Sequence, residues 1–480
     1  MFIGRSTELA ALKRLLKKST SSLVAINGRR RIGKSRLIEE FSREFKTSYF
    51  FAGLAPVEGL EKLDQTQEFL RQLVEQNIPA MPSSDWGVLF SALAKHTAQE
   101  QTSSPVLVVL DEITWMSGEG EDPTFLPKLK TAWDLSFKKN PKLILILSGS
   151  NSAWIEENIL SSTGFFGRVS LRLCLQELPL NQCVEFWGKQ SKNISSYEKF
   201  KILSVTGGVP RYLEEIDPKE SAENNLKHLC FTPSGLLFNE FDEIFADLFP
   251  KRDKYYKELI YALADGKNSL AELAEKLGRI KGGDLSERLN ELCQDGFIQR
   301  DFSWNFQTGK TVRTSRYRIS DPYLKFYIRA ILPYRTRIEN APEPLLPDNW
   351  ESLLGLQFEN LVLNNRHLLH QLLNLAPADI VFSNPYLQTP TSRQKGCQID
   401  YLIQTKFNTL FLCEIKFSKR ELPLTVTQEV QEKINQLKAP RGFSIRPVLI
   451  HVNGISEALS DSDYFSQIID FSQFLNPYKS

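Results

Sequence analysis

Short apolar runs alternate with helix-like segments along the first part of this 480-residue chain. The three clearest runs are residues 23–27, 106–110 and 143–147. Each has the length of a strand and is followed by small or acidic residues. Continuous apolar runs of this kind are typical of strands buried on both faces of a parallel sheet. Residues 37–45 carry their apolar side chains at helical spacing instead. The pattern therefore predicts an α/β arrangement at the N-terminus.

A glycine-rich segment joins the first run to that helix. Residues 28–35, GRRRIGKS, fit the phosphate-loop pattern G-x-x-x-x-G-K-[ST]. Gly28 and Gly33 let backbone N–H groups turn towards phosphate oxygens, Lys34 reaches the β- and γ-phosphates, and the Ser35 hydroxyl binds Mg²⁺. An arginine-rich surface loop would not explain the strand before it and the helix after it. The candidate nucleotide-binding residues are Gly28, Arg29, Arg30, Arg31, Ile32, Gly33, Lys34, Ser35 and Arg36.

An acidic pair follows the second run. Asp111 and Glu112 stand where that strand should end. We expect Asp111 to hold Mg²⁺, directly or through water, and Glu112 to act as the general base on the attacking water. The alternative is that the pair caps a helix.

Polar residues also follow the third run. Ser150 could contact the γ-phosphate or order the water, although serine at a strand end is also a common turn residue. Arg168, in GFFGR, could act as an arginine finger in cis or in trans. A surface ion pair is an equal alternative for Arg168.

Further along, the chain predicts three helices at about 253–264, 269–278 and 284–294, followed by two strands. Ser269 and Glu272 fit a capping box. The arrangement resembles a winged helix-turn-helix. The third helix is net acidic, which suits DNA phosphates poorly. The wing is basic, so DNA contact through the wing and an interface with another domain or a partner both remain open. The basic wing residues are Arg300, Lys310, Arg313, Arg316 and Arg318.

The stretch FLCEIKF, residues 411–417, places Glu414 and Lys416 on one face of an otherwise apolar strand. A hairpin turn centred on Phe407 would pair residues whose numbers sum to 814, which sets Asp400 opposite Glu414. Two opposed carboxylates destabilise a hairpin unless a cation lies between them. We therefore predict a cation there, unless the hairpin lies on the surface and carries only a Glu–Lys ion pair.

Composition limits the remaining choices. Hydrophobic residues make up 41% and charged residues 24%, and the net charge is +2, so binding to nucleic acid would have to come from local patches. No apolar run reaches the ~18 residues of a membrane span. The six cysteines lack disulfide or metal spacing. We expect a cytoplasmic protein with no membrane association and, from its length, several domains.

Six segments occur in an order that resembles the archaeal-type ATPases, a branch of the AAA+/STAND P-loop NTPases. They are FIGRSTEL (2–9), GRRRIGKS (28–35), VLVVLDEI (106–113), ILSGSNSAW (146–154), GFFGR (164–168) and TGGVPRYL (206–213). The resemblance covers about the first 250 residues. It implies ATP as the cofactor, with Ile3, Gly4 and Arg5 near the adenine. It also implies that Gly207 to Pro210 open a helix of a lid domain against the nucleotide.

The C-terminal residues resemble the PD-(D/E)XK nuclease superfamily at Glu359, Asp400, Glu414 and Lys416. Ile399 stands in place of the proline of the nominal motif. The resemblance implies Mg²⁺ or Mn²⁺ held by Asp400, Glu414, the Ile415 carbonyl and Glu359, with Lys416 orienting or deprotonating the water. Two residues of the following helix, Gln428 and Lys433, are candidates for an additional phosphate contact.

Together these readings predict a multidomain α/β protein. The expected parts are a P-loop ATPase core with a parallel sheet (1–175), a helical lid (176–250), a winged helix-turn-helix (251–335) and an α/β restriction-endonuclease-like domain (345–480). The expected function is ATP hydrolysis coupled to nucleic-acid processing, with DNA or RNA, a protein partner or a second copy of the chain as partners. The alternative is a STAND-type switch that binds a partner or DNA without cutting it.

Overall fold

The computed structural model gives two compact units that interleave along the sequence. The first consists of Met1–Leu178, Val209–Arg211 and Asp242–Asp253, and the second of Pro179–Gly208, Tyr212–Phe241 and Lys254–Ser480. The structure describes residues 2–55, 62–99, 104–118, 122–248, 253–264, 266, 268–340, 346–347, 350–388, 390, 392 and 395–476.

The first unit contains a five-stranded parallel sheet, as the apolar runs predict. Its strands are β1 (Ser22–Asn27), β2 (Thr47–Ala52), β3 (Val106–Asp111), β4 (Leu143–Gly149) and β5 (Val169–Cys174). They lie in the order β2-β3-β4-β1-β5, and every neighbouring pair is parallel. The carboxyl ends of β1, β3 and β4 therefore meet at one edge of the sheet.

Helices cover both faces of this sheet. Those that lie before β5 in the chain are α1 (Ser6–Leu15), α2 (Lys34–Ser42), α3 (Lys62–Glu75), α4 (Trp86–Gln99), α5 (Ile113–Met116), α6 (Phe125–Leu135) and α7 (Ser152–Ile155). Alternate residues of β1 enter different clusters: Leu23 and Ala25 pack into one, and Val24 and Ile26 into the other. This alternation follows from the two-residue period of a strand and explains why the run is apolar throughout.

The second unit begins with helices. They are α8 (Leu180–Cys183), α9 (Ser196–Thr206), α10 (Pro210–Leu213), α11 (Ala222–Cys230), α12 (Leu236–Leu248), α13 (Asp253–Ala262), α14 (Leu270–Lys276) and α15 (Gly283–Gln294), of which α10, α12 and α13 also contribute residues to the first unit. The last three agree with the predicted helices within about three residues. The predicted capping box is present, because Ser269 accepts from the Glu272 backbone and Glu272 accepts from the Ser269 backbone.

A small sheet follows these helices. Strands β6 (Asn268–Ser269), β7 (Ile298–Trp304) and β8 (Thr311–Ile319) lie in the order β6-β8-β7. Two short helices come next, α16 (Pro322–Phe326) and α17 (Arg335–Glu339).

The C-terminal part contains a second five-stranded sheet. Its elements are α18 (Trp350–Asn364), α19 (Arg366–Leu372), β9 (Ile380–Gln388), β10 (Cys397–Thr405), β11 (Thr409–Phe417), α20 (Val426–Gln436), β12 (Ser444–Val452), α21 (Glu457–Asp461) and β13 (Gln467–Asp470). The order is β13-β12-β11-β10-β9. β9, β10 and β11 are antiparallel neighbours, whereas β11, β12 and β13 run parallel.

The predicted hairpin register is confirmed. Tyr401 pairs with Cys413 and Leu402 with Leu412, so partners sum to 814. The register matters because a shift of one residue would exchange the two faces of β11 and move Glu414 away from Asp400.

The predicted segments 251–335 and 345–480 share one hydrophobic cluster. Trp304, at the end of β7, packs among residues of β9, β10 and α20. Its indole stacks on Phe382 with ring centroids 4.8 Å apart and donates to the Gln404 side chain at 2.5 Å. These two segments therefore lie almost entirely in the second compact unit. The predicted lid, 176–250, is divided between the two units. The four-part division stays a prediction.

Two expectations about the whole chain can be compared with the structure. No helix in its described part is both long and apolar enough to cross a membrane. All six cysteines are free thiols, and four of them are buried.

Candidate functional site

The glycine-rich loop wraps tightly around the end of β1. Gly28 has a φ of +151°, and a Cβ there would lie 2.6 Å from the Leu175 carbonyl oxygen. Gly33 has a φ of +91° and directly precedes helix α2. Both conformations favour glycine. The loop thus presents its backbone at the N-terminus of α2, where partial positive charge favours phosphate.

Lys34 and Glu112 are joined through Ser150. The buried Lys34 ammonium donates to the Gly28 carbonyl at 2.9 Å and to the Ser150 hydroxyl at 2.9 Å. Ser150 in turn donates to the Glu112 carboxylate through its hydroxyl, at 2.7 Å, and its backbone N–H, at 3.1 Å. Ser150, which the sequence placed at the phosphate or the water, lies here between the lysine and the acid and fixes both.

The Glu112 backbone is also unusual. Its φ of 47° and ψ of 52° lie in the left-handed region, which non-glycine residues seldom adopt. Such conformations persist where surrounding contacts hold them, often at functional sites. Glu112 does begin helix α5, as the alternative reading proposed, but no side-chain hydrogen bond caps that helix.

The predicted magnesium residues lie together. The Ser35 hydroxyl is 3.2 Å from the Asp111 carboxylate, across the gap between α2 and β3. A hydroxyl and a carboxylate oxygen at this distance fit a hard divalent cation, which prefers oxygen ligands. They lie beside the phosphate-binding loop, so the residues present fit Mg²⁺ bound with nucleotide.

Arg5 is a buried residue that donates hydrogen bonds to backbone carbonyls at the phosphate-binding loop and after β5. It is 3% exposed, and its guanidinium donates to the Ile32 carbonyl at 3.0 Å and to the Gln176 carbonyl at 2.5 Å. These two hydrogen bonds connect the backbone of the loop to the segment that follows β5. Pro210 lies close to the loop, since a Cβ on Gly33 would be 3.6 Å from the proline Cγ.

A second group of charged residues is formed by side chains of β10, β11 and α20. Glu414 is 2% exposed. Its carboxylate contacts the Lys433 ammonium at 2.5 Å and the Lys416 ammonium at 3.1 Å. Lys433 also lies 3.6 Å from the Asp400 carboxylate, which accepts the Ile415 N–H at 2.9 Å. The predicted cation between the two carboxylates is therefore, in this structure, the ammonium group of Lys433.

Burial and the neighbouring charges shift the pKa values of Asp400 and Lys433 in this group. Burial raises the pKa of Asp400 to about 7, with the charge of Glu414 adding to the effect and Lys433 opposing it. The charge of Glu359 raises the pKa of Asp400 further. Burial would lower the pKa of Lys433, but the two carboxylates outweigh it and raise that pKa. Within the part of the chain that the structure describes, no three His, Cys, Asp or Glu side chains are close enough to hold a metal ion. The predicted ligand set of Glu359, Asp400 and Glu414 is thus not assembled as a cluster of three.

Comparison with known proteins bears on the first of these two sites. Residues 2–216 match the family described as an ATPase domain predominantly from Archaea. Residues 2–216 are called the ATPase domain below because of this similarity. The match includes the phosphate-binding loop, the Asp111–Glu112 pair and Ser150, so the predicted enzyme class, an ATP-hydrolysing enzyme, is confirmed.

Other similarities are weaker. An uncharacterized protein of Methanocaldococcus jannaschii is 27% identical over 372 residues, which cover 75% of this chain and 76% of that protein. A Walker-type ATPase of Pyrococcus abyssi has 17% identity and a TM-score of 0.49, covering 68% of this chain and 96% of its own. The ORC2 protein of Aeropyrum pernix has 15% identity and a TM-score of 0.41, covering 69% and 95%. Both TM-scores are below 0.5, too low to establish a common fold.

The arginines of the phosphate-binding loop form ion pairs with acidic residues that the sequence analysis did not predict. Arg31 pairs with Glu243 at 2.6 Å, and Arg30 lies 3.8 Å from the same carboxylate. Arg29 lies 3.4 Å from Glu177. Glu243 lies 212 residues from Arg31, so no local spacing could have revealed it.

We expect Glu243→Gln to tighten nucleotide binding by about 1.5- to 5-fold, because it removes an anion that competes with phosphates for Arg31. This range corresponds to the ~0.2–1 kcal/mol of an exposed ion pair. Titration with a fluorescent ATP analogue measures it, with Glu258→Gln, which breaks a surface pair with Arg279, as the control. Weaker binding in the Glu243 variant would mean instead that Glu243 holds the arginine in its binding position.

Two other predicted residues of the ATPase domain lie in ion pairs. Arg168 makes a two-pronged pair with Asp134 of α6, at 2.8 and 3.0 Å. The pair raises the pKa of the guanidinium and lowers that of the carboxyl. This geometry matches the ion-pair alternative for Arg168. Arg36 is exposed and lies 3.4 Å from Glu39 on the same helix.

The basic residues after α15 are largely engaged inside their own unit. Arg316 pairs with Glu272 at 3.1 Å, and the buried Arg318 pairs with Asp301 at 3.0 Å. Arg300 donates to Ser315 at 2.7 Å. Lys310 is exposed, and the side chain of Arg313 lies outside the described residues. This pattern favours an interface within the protein over DNA contact through the wing.

Proposed function

We propose that this ATPase couples ATP hydrolysis to metal-dependent cleavage of nucleic acid by its C-terminal sheet. One observation carries the proposal: Asp400 and Glu414, both largely buried, face each other on neighbouring strands with Lys416 beside them. Each buried carboxylate costs several kcal/mol unless a cation compensates it, so a metal ion bound between the two would be stabilising.

In the ATPase domain, Lys34 would bind the β- and γ-phosphates, and Ser35 and Asp111 would hold Mg²⁺. Glu112, fixed by Ser150, would accept a proton from the attacking water. Gly4 and the neighbouring Ile3 would lie near the adenine, and Pro210 would close the lid side of the loop. A catalytic role for Arg168, in cis or in trans, would require it to leave Asp134.

In the C-terminal part, Asp400, Glu414 and the Ile415 carbonyl would hold Mg²⁺ or Mn²⁺, with Glu359 nearby. Burial first, and then the charges of Glu414 and Glu359, raise the pKa of Asp400, and a divalent cation would neutralise that negative charge. Such a cation would lower the pKa of a bound water and stabilise charge in the transition state. The fold would then be that of the PD-(D/E)XK nucleases.

Lys416 would orient the water or the phosphate rather than remove a proton. Burial alone would lower its pKa, but Glu429, at 2.7 Å, and Glu414 outweigh burial and raise it. An ammonium with a raised pKa is a weak general base near neutral pH. It remains an effective electrostatic contact to a phosphate oxygen.

A second function, the STAND-type switch without cleavage, is favoured by Lys433. Its ammonium already lies between the two carboxylates, where a metal would have to bind. In that case the winged helix-turn-helix and the C-terminal sheet would bind a partner or DNA.

Cleavage of labelled single- and double-stranded DNA, with Mg²⁺ or Mn²⁺ and with or without ATP, tests the proposal. We expect Lys416→Ala to lose cleavage by a factor of about 100 or more, as for loss of a charge-stabilising group. The matched control is Lys419→Ala, which removes an exposed lysine three residues later and should cut like the wild type.

The same assay, run with and without ATP, shows whether ATP hydrolysis and cleavage are coupled. Cleavage that requires ATP would link the two sites, whereas cleavage independent of ATP would separate them. No cleavage by the wild type under any of these conditions would leave the switch as the function.

A further inference from the structure

A basic cavity of about 330 Å³ is lined by residues of the second unit. Its charged lining residues are Arg318, Lys325, Arg329 and Glu359. Gln398 and apolar side chains such as Leu363 complete the wall. The volume is at the small end of the ~300–1,000 Å³ range of ligand sites. Arg318 is already paired with Asp301, so Lys325 and Arg329 against Glu359 leave a net positive charge, which favours an anionic ligand.

The three cations are held in place by the surrounding backbone and side chains. Arg329 donates to the Ala264 carbonyl at 2.9 Å, and Lys325 donates to the Leu356 carbonyl at 2.9 Å. Arg318 donates to Asn360 at 2.6 Å. Groups fixed in this way lose little conformational freedom when they bind a phosphate.

The cavity adjoins the Asp400–Glu414 pair. Gln398 lies two residues before Asp400 on β10, so the two side chains share a face of the strand. Glu359 lines the cavity and is also close enough to Asp400 to act on its ionisation. A ligand in the cavity would therefore lie near Asp400.

We propose that this cavity binds the phosphate backbone of a nucleic-acid strand and directs one phosphodiester to Asp400 and Glu414. The inference rests on the proposed nuclease function and adds Arg329 and Lys325 as phosphate contacts. The apolar part of the wall suits the sugar or base of a strand, whereas a purely ionic site would need none. Arg318, one of the basic wing residues for which DNA contact and an interface were both open, lines the cavity while it pairs with Asp301.

The test is binding of a fluorescein-labelled single-stranded oligonucleotide, followed by anisotropy from low to high salt. Ca²⁺ replaces Mg²⁺ as a hard oxygen-binding cation, so the readout does not depend on turnover. Each lost phosphate contact should reduce the slope of log affinity against log salt by about 0.7. At 0.1 M salt, that change equals about fivefold weaker binding for Arg329→Gln or Lys325→Gln.

Two further variants keep the test decisive. Arg329→Lys retains the charge and should keep most of the affinity, which distinguishes a phosphate contact from the hydrogen bond to Ala264. Arg337→Gln removes an exposed arginine of α17 and should leave the salt slope unchanged. Wild-type slopes in both the Arg329→Gln and Lys325→Gln variants would overturn the proposal.

A competition arm separates the two sources of phosphate. We expect a mononucleotide 5′-phosphate to compete far more weakly than the unlabelled oligonucleotide. Equal competition would identify a site for free nucleotides and overturn the strand assignment. The nuclease function fails separately, if the wild type cleaves no DNA under any condition of the cleavage assay. Suppose that Arg329→Gln and Lys325→Gln both bind the oligonucleotide like the wild type, and that Lys416→Ala loses cleavage. This result would overturn only this inference and would leave the nuclease function in place.

Discussion

Glu112→Gln is expected to lower ATP turnover by about 10²- to 10⁴-fold while ATP binding persists. That range is the usual contribution of a general base. The substitution keeps the size and shape of the side chain. The glutamine oxygen can still accept the Ser150 N–H, and its amide can donate to the Ser150 hydroxyl, which also accepts from Lys34. The loop geometry should therefore survive, and only the proton acceptor is lost.

Lys34→Ala should behave differently and abolish both binding and turnover, because it removes the ammonium that neutralises the phosphates. Isothermal titration with a slowly hydrolysed ATP analogue, together with phosphate release, separates the two variants. Glu39→Gln, which makes the same chemical change as Glu112→Gln on the exposed face of α2, serves as the control. Turnover by Glu112→Gln at the wild-type rate would assign the base elsewhere.

The stability of the C-terminal sheet should fall as pH rises from about 4 to about 7. The folded pKa of Asp400 is raised to about 7, against ~3.9 in an unfolded chain. Protons are then bound more tightly in the folded state, so the stabilisation is complete below pH ~4 and is lost by pH ~7. Three pKa units correspond to roughly 4 kcal/mol at most.

Hydrogen exchange of peptides covering β10 and β11, at pH 5 and pH 8, measures this effect locally. Asp400→Asn is the reference, because it removes this titration and leaves the other ionisable groups in place. The stability difference between wild type and variant should change by a few kcal/mol between the two pH values. A difference that does not change with pH would contradict the prediction.

The same experiment bears on the proposed metal site. Mn²⁺ at Asp400 and Glu414 would favour the ionised carboxyl and lower its pKa, so the loss of stability with pH should shrink when the metal is added. A pH dependence that Mn²⁺ leaves unchanged would favour the switch, with Lys433 as the permanent cation.

The sequence by itself determined the features that depend on neighbours along the chain. The strand, the phosphate-binding loop and the helix after it follow one another within residues 22–42, and their pattern requires one local geometry. The hairpin register was accessible for the same reason, because a short turn fixes which residues pair. The capping box at Ser269 is likewise local.

Only the tertiary structure decided which distant charges meet. Glu243 reaches Arg31, Asp134 holds Arg168, and Lys433 lies between Asp400 and Glu414, although each partner is 19 to 212 residues away. Charged side chains at such separations carry no periodic signal, because their positions follow from how strands and helices pack. Trp304 joining the cluster around β10 shows the same limit for domain boundaries, since a single aromatic residue can unite segments that composition separates.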